Sequence, residues 1–174
     1  MTKNKKQTIS LLVGSAVALF MIAADQLTKL LFLDIFENRY ESIPVIKGVL
    51  SFQLVHNDGA GFSILAGKTL FLIIFTAVAL LLVLFLLISR RLKSSVADWG
   101  LLLVLSGGIG NLIDRVFRGG KVVDFIKTDF IDFPIFNVAD ICIVVGAGLL
   151  VLYFVLDLIN EKKSKQKEEE NGEA

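Results

Sequence analysis

The sequence predicts an all-α membrane protein: four transmembrane helices with a small extracytoplasmic β-rich cradle and loop. Three observations carry that prediction. The chain of 174 residues is 55% hydrophobic with a mean hydropathy of +0.73, more apolar than soluble domains of this length ordinarily are. Its apolar residues gather into four runs with almost no charge inside them. Its lysines and arginines concentrate before the first run, between the second and third, and after the fourth.

The runs differ in quality. Residues 7–24 and 69–89 are uncharged and suit the roughly 20 residues that a helix needs to cross hydrocarbon. The third, Trp99 to Ile113, has only 15 residues, and the fourth, Phe133 to Leu156, is interrupted by Asp140. To cross, the third helix must carry Asn111, Asp114 and Arg115 to membrane depth, and the fourth must carry Asp140. The first run has a basic start but no small-x-small cleavage site in "FMIAADQ", so it is expected to stay as a helix rather than be removed as a leader.

Direction follows from the basic residues. Lys3, Lys5 and Lys6, then Arg90, Arg91 and Lys93, then Lys162, Lys163, Lys165 and Lys167 fall on one side of a four-span chain. The positive-inside rule makes that side cytoplasmic. Both termini are then cytoplasmic, and the longer connections, about 33–68 and 116–133, face outward. In the first of these, "VIKGVLSFQLV" followed by "HNDGAGFS" reads as a strand pair and a turn resting on the membrane surface. Residues 1–160 form a single domain, and the charge run 161–174 is expected to be a disordered tail.

Several functions are excluded early. A net charge of +1 gives no basic face for nucleic acid. The single cysteine, Cys142, allows no internal disulfide or multi-cysteine metal site and reads as packing. His56 stands alone, so no metal and no cofactor are expected. The glycines 107, 108 and 110 follow no strand, so they do not form a nucleotide loop. With Gly146 and Gly148 they read as close-packing positions between helices. Trp99 reads as an anchor at the membrane interface.

What remains is a set of polar residues where lipid begins. Ionisable groups at membrane depth pair, face water, or work. "DQLTK" puts Asp25 and Lys29 one helical turn apart, either as an interfacial ion pair or as part of a site. "HNDGAGF" presents Asn57 before Gly59 and Gly61, where backbone can approach a ligand. "GGIGNLIDR" sets Asn111 and Arg115 on a shared face, "VVDF" supplies Asp124, and "FNVAD" supplies Asn137 and Asp140, the pattern of a helix cap followed by a first-turn acid. Four antiparallel spans bring these stretches to one level. Two carboxyls that meet there cannot easily both ionise, which provides a general acid and a general base in one pair.

Those stretches, in that order between Asp25 and Asp140, resemble the bacterial lipoprotein signal peptidases (signal peptidase II), four-helix membrane aspartyl peptidases. The resemblance implies removal of the signal peptide from diacylglyceryl-modified prolipoproteins, cut on the N-terminal side of the lipidated cysteine, and inhibition by globomycin-type peptides. It implies Asp124 and Asp140 as the catalytic dyad. Asn57, Gly59, Asn111, Arg115 and Asn137 would bind substrate and orient the dyad, with Asp25 and Lys29 in support. Membrane lipids are expected around a monomer. Gly61 departs from the family's usual Ala or Trp. Asp114, beside Arg115, reads as a structural carboxylate, and residues 40–62 as a flap. A proton-coupled transporter would instead hold its acids near the bilayer midplane, and a lipid-binding or assembly protein would tolerate changes at Asp124 and Asp140.

Overall fold

A computed structural model describes residues 3–39, 41–59, 67–92 and 94–172. Gly61 and the last part of the expected flap, residues 60–62, lie outside them. The element order is α1 (Lys3–Ile35), β1 (Ile43–Ile46), β2 (Leu50–Asn57), α2 (Thr69–Ser89), α3 (Ser95–Phe117), β3 (Val122–Thr128) and α4 (Val138–Gly172). All four helices are long and apolar enough to span a membrane.

α3 is the central helix and packs against each of the other three. Its start is set by Ser94, whose hydroxyl accepts from the Val96 amide at 3.3 Å, satisfying one of the donors a helix leaves open. Its end is set by Gly119 and Gly120, both at positive φ, which turn the chain back into β3. α2 is apolar all round, and Leu70, Ile74, Val78, Leu81 and Ile88 remain exposed. In water that face would be a liability; in a bilayer it faces lipid.

Small residues let α3 and α4 touch through their backbones. A side chain at Gly107 would run into the Ala139 carbonyl, and a Cβ at Gly146 would lie 2.7 Å from the Gly100 carbonyl oxygen. Gly100 was not among the expected packing glycines. Gly148, which was, has nothing within 4 Å of where its Cβ would stand, because it lies on the exposed side of α4. Trp99, expected as an interfacial anchor, donates its indole N–H to Ser10 Oγ at 3.0 Å, across the seam where Gly14 gives the Leu102 side chain room.

The sheet has the order β1-β2-β3, antiparallel throughout. β1 and β2 form the expected hairpin, but β3 is an addition, read in the sequence only as part of a long connection. It pairs with β2 so that Val55 faces Asp124 and Asn57 faces Val122. Phe32 of α1 and Phe36 just beyond its end hold the sheet to the bundle. Phe32 stacks on Phe125 with centroids 4.1 Å apart and tilts against Phe52 at 4.5 Å.

The fourth helix begins at Val138, not at Phe133. Pro134 has no N–H to give a helix, and Phe136 instead bridges Ile126, donating at 3.0 Å and accepting at 2.8 Å. At its other end α4 continues to Gly172, through the run expected to be disordered. The i, i+4 pair of Glu161 and Lys165 at 2.8 Å is the kind of contact that extends an exposed helix.

Substitution of Gly107 by Val is expected to push α3 from α4 and cost about 1–3 kcal/mol or more. Gly148→Ala is expected to stay within about 0.5 kcal/mol of the parent. Unfolding of both variants in detergent micelles measures the contrast.

Candidate active site

The polar residues converge where α1, α3, α4 and the sheet meet. β3 alternates: Val123 and Phe125 point into the protein core while Val122 and Asp124 face a cavity. Asp124 therefore reaches the site because Phe125, its neighbour in the pleat, is captured by Phe32. Asn57 lies diagonally across the ladder on the same face, and its Nδ2 donates to Asp124 Oδ2 at 2.9 Å.

Asp140 arrives by a different device. Asn137 caps α4: its Oδ1 accepts from the Asp140 amide at 3.0 Å, and Asp140 Oδ2 accepts from the Asn137 amide at 3.0 Å. This is a reciprocal cap with aspartate in place of the usual glutamate. The Asn137 side chain also donates from Nδ2 to Asp124 Oδ1 at 2.6 Å. One buried residue thus holds both carboxyls. Asn111 completes the set by donating from Nδ2 to Asp140 Oδ1 at 2.7 Å, so each of the four carboxyl oxygens accepts an N–H among the described residues.

Behind this layer lies a buried ion cluster. Lys29, fully buried, donates to Asp25 Oδ2 at 2.9 Å, Asp114 Oδ2 at 3.0 Å and Asn111 Oδ1 at 3.1 Å. Its three N–H bonds are all used. Asp25 Oδ1 accepts from the Ala139 amide at 2.9 Å, an open donor of α4's first turn. Gly110 permits this approach, since a Cβ there would lie 2.6 Å from Asp25 Oδ2. Asp114 accepts from Lys29, Arg118, Gln26 and the Val123 amide. It serves the fold and does not line the cavity. Its cationic partners are Lys29 and Arg118 rather than the adjacent Arg115.

Arg115 turns toward the cavity. Its Nη2 donates to the Gly59 carbonyl at 3.0 Å, while its buried Nε has no partner among the described residues. Gly59 is held in turn by its amide, which donates to Asn57 Oδ1 at 2.9 Å. The cavity has a volume of about 420 Å³. Asn57, Asn111, Arg115, Asp124 and Asp140 form one end, and Phe133, Phe136, Ile141, Val144 and Val145 continue it along α4. The last three are partly exposed on the outside of the bundle, so the site opens sideways onto an apolar face. Asp25, Lys29 and Asn137 stand behind this lining.

Of the other acids near β3, Asp129 accepts from Ser51 Oγ at 2.9 Å, and neither it nor Asp132 lines this cavity. Gln26 was overlooked in the sequence, although it sits inside "DQLTK"; it ties Asp25 to Asp114 and to the Gly110 carbonyl. The apolar wall from Phe133 to Val145 was read only as helix. No group of three or more His, Cys, Asp or Glu side chains among the described residues is arranged to hold a metal ion.

Burial, with the nearby Asp140 adding to it, pushes the Asp124 carboxyl up to about 7 against the lowering pull of Asn57, Asn137 and Lys29. The native protein thus holds this proton far more tightly than an unfolded chain, whose aspartates release theirs near about pH 4. The stability it contributes is complete below about pH 4 and is lost as pH rises toward about 7. Asp124→Asn is expected to flatten that part of the stability curve in unfolding titrations. Asp114→Asn, by contrast, leaves the buried Lys29 ammonium short of an anion and is expected to cost about 3–5 kcal/mol.

Comparison with known proteins matches residues 17–156 to the family described as signal peptidase (SPase) II. A lipoprotein signal peptidase of Enterococcus faecalis is 44% identical over 126 residues, 72% of this chain and 76% of its own. That of Shouchella clausii is 43% identical over 148 residues, covering 85% of this chain and 96% of its own. A bacterial membrane enzyme solved by the in meso method at 2.3 Å superposes with a TM-score of 0.78 at 32% identity, covering 85% of this chain and 90% of that one.

Proposed function

Because the chain belongs to the signal peptidase II family of membrane aspartic peptidases, we propose that it removes signal peptides from lipoproteins by means of an Asp124–Asp140 dyad. The observation that carries this reading is the pair of carboxyls, brought from a strand and a helix cap, that line one cavity and share Asn137. The pair holds one proton. The ionised carboxyl takes a proton from water as the water oxygen bonds to the scissile carbonyl carbon. The protonated carboxyl gives its proton to the carbonyl oxygen. Collapse of the resulting diol returns that proton as the C–N bond breaks, and the departing nitrogen takes a proton from the pair. One proton is left on the dyad, ready for the next turnover.

The substrate is a diacylglyceryl-modified prolipoprotein, cut on the N-terminal side of its lipidated cysteine. A signal peptide is an apolar helix already in the membrane. The sideways opening past Ile141, Val144 and Val145 suits entry from lipid without a soluble cleft. Arg115, whose Nε is unpartnered among the described residues, is a fixed donor for substrate carbonyl or ester oxygens. Asn57, Gly59, Asn111 and Asn137 hold the polar end, and Asp25 and Lys29 support it from behind. The segment from residue 40 to 62 acts as a flap that excludes water. Both termini lie in the cytoplasm and the dyad at the extracytoplasmic face, as the basic residues around 90–93 and 162–167 favour. The enzyme works as a monomer surrounded by membrane lipid, and globomycin-type peptides compete for the same cavity.

Purified enzyme is expected to cleave a lipidated prolipoprotein and leave its unlipidated form intact, with globomycin blocking the reaction. Asp124→Asn and Asp140→Asn are each expected to lower kcat by at least about 10³-fold in protein that still unfolds cooperatively. Near-normal turnover by either variant would remove the dyad from consideration.

A further inference from the structure

The orientation of a side-chain amide decides whether it shows a neighbour a donor or an acceptor, and two such amides touch the carboxyls. Asn137 is fixed by the backbone: its Oδ1 accepts from the Asp140 amide, so its Nδ2 must face Asp124. Asn111 makes no such contact with a backbone amide among the described residues. Its Oδ1 takes hydrogen bonds from Lys29 Nζ at 3.1 Å and Asn137 Nδ2 at 3.1 Å, and its Nδ2 then faces Asp140 Oδ1 at 2.7 Å. An ammonium has three donors and no acceptor. Whatever atom of Asn111 faces Lys29 must therefore be oxygen.

We infer that Lys29 is a positioning residue for the reaction: it locks the Asn111 amide so that Nδ2, not Oδ1, meets the Asp140 carboxylate. This rests on the dyad reading above. Lys29 does not itself line the cavity; it acts through Asn111, which does. Asp25 and Asp114 hold the ammonium in place at 2.9 and 3.0 Å. The charged side chains around Asp140 are Lys29 and Asp25 of α1, Arg115 of α3 and Asp124 of β3. Among these, Lys29 alone donates to the amide that meets Asp140. Without the Lys29 ammonium, Asn111 Oδ1 keeps, among the described residues, only the hydrogen bond from Asn137 Nδ2, a group that also donates to Asp124 and to the Val123 carbonyl, so the amide is held less firmly against Asp140. Neither Lys29 nor Asp25 lines the cavity, so replacing them changes no lining side chain.

Two variants test this. Asp25→Asn/Lys29→Met removes the ammonium together with one of its anions, leaving Asp114 paired with Arg118. Asn111→Asp keeps the whole ion cluster but shows Asp140 an oxygen in either orientation. Each is assayed on a diacylglyceryl-modified peptide as the fraction of enzyme that is folded. Both are expected to lower kcat by about 30-fold or more, and Asp25→Asn/Lys29→Met, which changes no lining side chain, is expected to leave KM within about twofold. Combining them is expected to cost no more than Asn111→Asp alone, the non-additivity of residues acting through one contact. Wild-type kcat in either variant, or losses that multiply, would overturn the inference, because a merely structural Lys29 lowers the folded fraction and leaves kcat per folded molecule alone. If Asp25→Asn/Lys29→Met does not fold, Lys29→Gln takes its place with the same two outcomes, and an unchanged kcat in Asn111→Asp sinks the inference in either case. Asp124→Asn in the same assay separates the readings, since turnover there would sink the dyad itself.

Discussion

A lysine ammonium buried between helices is the constraint on which the site depends. Removing such a charge from water costs several kcal/mol, and the cost is tolerated only where every N–H finds a partner. Lys29 meets that condition with two carboxylates and one amide oxygen, all between 2.9 and 3.1 Å. Its partners belong to α1 and α3, and Asp25 passes the tie to α4 through the Ala139 amide. In hydrocarbon, helices gain little from merely being apolar, so polar contacts of this kind and close backbone approach do the joining. The first turn of α4 is placed by both: Asp25 holds the Ala139 amide, and the bare backbone at Gly107 makes room for the Ala139 carbonyl.

The two carboxyls of the proposed dyad are delivered by different rules of local structure. Asp124 is aimed by the period of a strand, with Phe125 sent the other way into the aromatic cluster around Phe32. Asp140 is aimed by a helix cap. Asn137 joins these two otherwise independent devices, which is why both carboxyls can be held within one cavity although neither element packs its acid against the other directly. Asp114 shows the contrast. It is as buried as either, yet four donors saturate it and it has no edge on the cavity. Burial alone does not make a functional acid; burial at a cavity wall does.

The position of the site at one end of the bundle follows from the same physics. In the proposed chemistry water is a reactant, and the bilayer interior holds little of it, so such a site belongs toward an end of the spanning helices, where the sheet docks. An apolar substrate helix is in turn best admitted from the side, along the partly exposed face of α4. The proposed chemistry therefore needs a cavity that is wet at one end and greasy along its flank, and the lining has that division.

Much of this was determined by the sequence itself. Four apolar runs mark the helices because spanning hydrocarbon demands length and composition, which are local properties. The cap role of Asn137 and the pairing of Asp25 with Lys29 were legible for the same reason, being contacts within one turn of helix. The start of α4, the strand β3 and the partners of Asp114 were not. Each depends on residues far along the chain: Phe136 pairs with Ile126, β3 needs β2, and Asp25 finds the amide of Ala139 across 114 residues. Which of the acids from Asp114 to Asp140 face a common cavity was decided only when the sheet docked on Phe32 and the helices closed on Lys29, because hydrogen bonds between distant segments leave no period or spacing in the sequence to read.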